Sequence, residues 1–134
     1  MQLHPLIVND NVSISYDATN DWLYVDWRGE HDSITSRATC LLMVEALRMQ
    51  PSSKILNDNS NISYTTAELP EWGKQWVRDL ECAGLQYLAW VLPPNAPRLQ
   101  TTDLSSRPYR KPLVVTFLDV ASAFEWLHKQ QREL

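Results

Sequence analysis

At 134 residues the chain has the length of one domain, enough to bury a core without disulfide or metal staples. Apolar residues make up 44% and charged residues 21%, which excludes the low-hydrophobicity regime of disorder. The net charge of −4, with no basic stretch interleaved with aromatics, argues against nucleic acid as a partner.

Leu6, Ile7 and Val8 form the longest apolar run near the start. No basic flank precedes them, so no signal peptide is expected. No run approaches the length of a membrane span. Val12, Ile14 and Tyr16 alternate with serines, and the turn-rich stretch Asp17 to Asp21 leads into Trp22-Leu23-Tyr24-Val25-Asp26-Trp27, rich in aromatic and β-branched residues. This predicts an antiparallel hairpin with strands near 12–16 and 22–27. Arg28-Gly29 breaks the extended pattern. Asp32 or Ser33 then caps a helix that runs to about Gln50, where Pro51 ends it. The apolar run Cys40 to Val44 predicts burial on more than one face of that helix.

Lys54 to Asn57 reads as a short strand, opening into a polar loop, Asp58-Asn59-Ser60-Asn61. Leu69, Trp72, Trp76 and Leu80 recur at helical spacing, with Gly84 suited to the position after the last turn. Two helix starts compete, one at Pro70 and one at the capping-box pattern of Thr65 and Glu68. Tyr87 to Leu92 is a nearly all-apolar strand, stopped by Pro93-Pro94. Residues 93–112 hold five prolines and four basic residues, Arg98, Arg107, Arg110 and Lys111, against one acidic residue, Asp103. Leu113 to Leu118 is the last strand. Asp119 caps a final helix whose inward face carries Val120, Phe124 and Leu127.

The order is β-β-α-β-α-β-loop-β-α in one α/β domain spanning 1–134. It predicts a mostly parallel sheet of about five strands with an antiparallel N-terminal hairpin and helices packed on the sheet. Ligands of such sheets sit beyond the carboxyl ends of the strands. Three stretches qualify: Arg28 to Asp32, Asp58 to Thr66, and Pro93 to Lys111.

Four groups of residues are candidates for function. Asp58, Asn59, Ser60 and Asn61 have the location of a binding or switching loop and the composition of an ordinary turn. Arg98, Arg107, Arg110 and Lys111 offer cations to an acidic partner or a phosphate. Trp27, Trp72 and Trp90, among six tryptophans, are core residues or the lining of a pocket for a small apolar ligand. His4, His31 and His128 stand far apart, and no Cys-x-x-Cys or His-x-x-x-His occurs, so neither a metal nor a catalytic residue is assigned. His31-Asp32 lacks an identifiable nucleophile. Only three glycines are present, with no phosphate-cradling loop, and no cofactor is called for. Cys40 and Cys82, both in helical segments, read as reduced thiols of a cytoplasmic protein, where the sequons at Asn11 and Asn61 go unused.

The hairpin ending Tyr24-Val25-Asp26-Trp27-Arg28-Gly29, the strand Lys54 to Asp58, Leu88-Ala89-Trp90-Val91, and Thr116-Phe117-Leu118-Asp119 with Ala123 to Leu127 together resemble the STAS-like superfamily. These are bacterial domains related to anti-sigma-factor antagonists and, more loosely, to CRAL-TRIO lipid-binding proteins. The resemblance covers about residues 12–130. It implies a regulatory, non-catalytic role through a protein partner, with a homodimer also compatible. It further implies a switch hydroxyl after a strand, at the start of the next helix, and Ser60 is the matching position. Asn61 and Ile62 follow it where the family has a small residue or glycine. The expected function is therefore a protein-interaction module. A carrier or sensor of a small apolar ligand is the alternative, and an enzyme is third.

Overall fold

The computed structural model describes residues 2–65, 72–94 and 111–133. Six strands and three helices are found among them: β1 (Leu3–Val8), β2 (Val12–Asp17), β3 (Trp22–His31), α1 (Ser33–Met49), β4 (Lys54–Thr65), α2 (Trp72–Cys82), β5 (Tyr87–Val91), β6 (Leu113–Phe117) and α3 (Val120–Lys129). The strands form one sheet in chain order. β1, β2 and β3 pair antiparallel, and β3 to β6 pair parallel. The α/β class, the hairpin and the parallel strands agree with the expectation from sequence.

A monotonic strand order has a consequence for the helices. Right-handed crossovers from β3 to β4 and from β4 to β5 place α1 and α2 on one face of the sheet. That face buries Ile14, Leu23, Val25, Trp27, Ile55 and Leu88 against Met43 and Leu47 of α1 and Trp76, Val77 and Leu80 of α2. α3, which follows β6, covers the other face, where Trp22, Leu56, Tyr87, Ala89 and Val91 meet Ala123 and Leu127. Alternate residues of each central strand therefore serve two cores, which explains their nearly continuous apolar character.

The N-terminal strand β1 was read from sequence only as an apolar run. Pro5 removes a ladder donor, and the register shifts between Pro5 and Ile7, so the strand is tolerated at the sheet edge. Asn9 turns the chain by accepting from the backbone N–H groups of Asn11 and Val12 at 2.7 and 2.9 Å. The next turn is held by Asp17, fully buried, which accepts from the amides of Thr19 and Asn20. Asp21 completes it at φ +58°, a backbone region that aspartate tolerates better than most residues.

Both predicted caps are present. Asp32 accepts from the Thr35 amide at 2.9 Å, and Asp119 from the Ser122 amide at 2.7 Å. The run Cys40 to Val44 is not buried all round: Cys40, Met43 and Val44 are buried, and Leu41 is 57% exposed. Leu69, Pro70 and the alternative helix starts near them lie outside the described residues.

The largest departure is in β3 and β4. Arg28-Gly29 does not end β3, which continues to His31, with Gly29 at φ +77°. β4 runs twelve residues, to Thr65, instead of ending at Asn57. Asp58, Asn59, Ser60 and Asn61 are therefore strand residues and not a loop. Two register shifts fall in this extension, between Asp26 and Arg28 and between Gly29 and Glu30. At each, β4 carries one residue more than β3, the signature of a bulge that bends the strand. β5 stops pairing at Val91, opposite Asp58.

Candidate functional site

The carboxyl end of β3 and β4 carries polar residues on both faces. On the α3 face, Asp58 is 2% exposed, and a carboxylate so placed requires partners. It has three. The Tyr24 hydroxyl donates to Oδ2 at 2.6 Å, and the Ser60 amide and hydroxyl donate to Oδ1 at 2.9 and 2.6 Å. Beside it, Asn61 Nδ2 donates to Asp26 Oδ1 at 2.8 Å. Burial, and then the bond to Asp58, hold the Tyr24 hydroxyl well above the ordinary tyrosine range. Within this cluster Tyr24 and Ser60 are tied to Asp58, and Asn61 to Asp26.

The opposite face differs. Trp27 Nε1 donates to Asn57 Oδ1 at 2.7 Å, and both residues are buried. His31, 3% exposed, lies with its ring 5.0 Å from the Trp27 ring. Its Nε2 is 3.0 Å from the Arg28 carbonyl. A carbonyl only accepts, so Nε2 carries the proton and donates it to this bond. His31 Nδ1 has no partner, and neither do Asn59 Oδ1, Trp76 Nε1 or Trp90 Nε1.

The residues singled out from sequence thus separate. Asp58, Ser60 and Asn61 come together with Tyr24 and Asp26, two positions the sequence did not flag. Asn59, between Asp58 and Ser60 in the bulged segment, is buried. Trp27 and Trp90 join the core under α1 and α2, with Trp72 half-buried at its margin. Lys111 lies at the amino end of β6, paired with Glu133 at 2.9 Å and placed 4.6 Å from the Tyr87 ring centroid. Tyr87 pairs with Lys54 across the sheet, four residues, roughly 13 Å, from Asp58 along β4. Lys111 is therefore not a neighbour of Ser60. Arg98, Arg107 and Arg110 lie outside the described residues. Among the described residues no three His, Cys, Asp or Glu side chains group to hold a metal ion. No described helix is long and apolar enough to cross a membrane. Cys40 is buried, which pushes its thiol up, and Cys82 is exposed; both are free.

One surface was missed altogether. Ile34, Leu41 and Met49 of α1 are 78%, 57% and 57% exposed. With exposed Ala38 and Glu45 they follow the spacing i, i+4, i+7, i+11, i+15, a single stripe along the helix. The exposed stripe is hidden in the sequence because buried residues of the same chemistry alternate with it.

No protein-family model matches the chain, and no curated protein matches it. The chain is similar to the anti-sigma factor antagonist SpoIIAA in its unphosphorylated form, at 13% sequence identity and a TM-score of 0.49, over 93% of this chain and 96% of that one. No residue's role is carried over from it.

Proposed function

We propose that this chain is a regulatory protein-interaction module that docks its partner along the exposed stripe of α1. The observation that carries the reading is the row Ile34, Leu41 and Met49, large apolar side chains aligned on the outer side of a helix. Monomeric domains rarely align such residues on an outer surface without a partner to cover them. Ser60 is the proposed switch. A phosphate there would add nearly two negative charges beside Asp58 and break the bond that Ser60 donates to it. Free thiols at Cys40 and Cys82 suit the reducing cytoplasm.

The test is a quantitative pull-down from the native cell extract with the wild type and with Ile34→Asp/Leu41→Asp. Both positions are exposed, so stability should stay within about 0.5 kcal/mol while the partner is lost. Sedimentation of the same two proteins separates a second copy of the chain from a different protein. Unchanged partners and unchanged sedimentation would remove the stripe from the reading.

A further inference from the structure

Residues 131–133 follow α3 and lie as a strap against the amino ends of β5 and β6. The Gln86 side chain donates from Nε2 to the Glu133 carbonyl at 2.6 Å, and its Oε1 accepts from the Glu133 amide at 2.7 Å. The Tyr87 hydroxyl donates to the Gln131 carbonyl at 2.8 Å. Lys111 Nζ lies 2.9 Å from the Glu133 carboxylate and 4.6 Å from the centroid of the Tyr87 ring. The main chain of Gln86 is already committed to the sheet, donating to the Ser53 carbonyl and accepting from the Leu113 amide, each at 2.8 Å. Its carboxamide therefore acts as one more peptide group, exchanging two bonds with Glu133 as a hydrogen-bonded pair does across an antiparallel ladder. These bonds read main-chain atoms, whatever the side chains, and the Lys111 contact alone reads a carboxylate. They fall on Gln131 and Glu133 and skip Arg132, the alternation of an extended chain.

The strap gains little by lying there. Gln131, Arg132 and Glu133 are exposed, so no apolar side chain anchors them, and hydrogen bonds at a wet surface replace bonds to water with a small net gain. The ion pair, with side chains 31% and 63% exposed, adds little more. We propose that Gln86, Tyr87 and Lys111 form a docking site for an extended, acidic segment of a partner protein, which residues 131–133 occupy until such a segment displaces them. The partner supplies a main-chain carbonyl at one position and a Glu or Asp two residues later. Because the strap competes from within the same chain, its effective concentration is high, and only a segment that makes further contacts or is held nearby displaces it. Tyr87 belongs to the α3 face, so this inference stands apart from the stripe on α1.

The probe is the peptide Gln-Gln-Arg-Glu-Leu, blocked at both ends and titrated into the full-length, nitrogen-15-labelled protein while the Gln86 side-chain amide resonances are followed. Glu133→Pro removes the strap's amide donor and its carboxylate together and leaves Gln86, Tyr87 and Lys111 in place. In this variant the Gln86 amide should shift saturably, and the wild type should need about tenfold more peptide. The same peptide with glutamine in place of glutamate should bind about fivefold more weakly, as should the original peptide when Lys111→Ala is added to Glu133→Pro. The proposal is overturned if the Gln86 amide of Glu133→Pro does not respond, if wild type and variant bind the peptide equally, or if the neutral peptide binds as well as the acidic one. It is also overturned if the wild type alone self-associates and Glu133→Pro abolishes this in sedimentation, because the site then belongs to the strap of a second copy.

Discussion

Tyr24 and Asp58 lie on adjacent parallel strands, and the phenol donates to the carboxylate at 2.6 Å where Asp58 is almost sealed from solvent. Removing the hydroxyl strips one of three donors from a buried anion. Tyr24→Phe should therefore cost about 1–3 kcal/mol, measured by urea denaturation. Tyr24 is held above its ordinary value of 10.0. The stability linked to it is thus fully present below pH 10 and lost as pH rises through the higher folded-state value. An absorbance titration should show one fewer late-ionising tyrosine in the variant, and identical alkaline titrations would contradict the burial of this phenol.

Trp76 is the tryptophan whose truncation should hurt most among those of α2. Trp72 belongs to the same helical stripe in the sequence, but it is only half-buried, whereas Trp76 is 4% exposed. Trp76→Ala should cost about 3–5 kcal/mol and Trp72→Ala clearly less. Equal losses in chemical denaturation would show that the margin of this core is packed as tightly as its interior.

The two helix caps predict an acid response. Asp32 is held below its ordinary value of 3.8, first by the Thr35 amide, and Asp119 likewise, first by the Ser122 amide. A depressed carboxyl contributes stability that is complete above the unfolded value and lost as pH falls through the folded one. Asparagine caps equally well and does not titrate. Melting temperatures of wild type and of Asp32→Asn/Asp119→Asn, followed from about pH 5 to about pH 2, should converge or cross as the wild type loses its charged caps. Parallel curves would mean that the caps carry no charge-dependent stabilisation.

These caps were legible in the sequence, as were the central strands, because one residue type at one position decides each. The course of β4 was not. Asp58-Asn59-Ser60-Asn61 has turn chemistry, and it forms a strand because Tyr24 and Asp26, more than thirty residues away, supply its partners. Propensity cannot register a bond made across the sheet, so tertiary context overrode the local signal. β1 escaped for the reverse reason. Pro5 argues against a strand, and only an edge position accommodates it. The switch position suffered most, since Ser60 lies in mid-strand and not at the start of a helix.

That position carries the last prediction. Ser60 donates its amide and its hydroxyl to the same oxygen of Asp58, at 2.9 and 2.6 Å. Ser60→Ala removes the hydroxyl and leaves the amide and Tyr24 in place, so the loss should be about 1 kcal/mol. Ser60→Glu sets a second carboxylate against a buried one, in a bulged segment where β5 no longer pairs. Repulsion there has a local outlet: residues 59–65 can part from β3 while 55–57 stay held between β3 and β5. Hydrogen exchange should therefore quicken in 59–65 for Ser60→Glu, remain slow in 55–57, and change little for Ser60→Ala. Partner capture should fall with the glutamate variant and persist with the alanine variant. If both variants exchange alike and retain the same partners, Ser60 serves only to satisfy Asp58, and a switch in this chain has to be sought elsewhere.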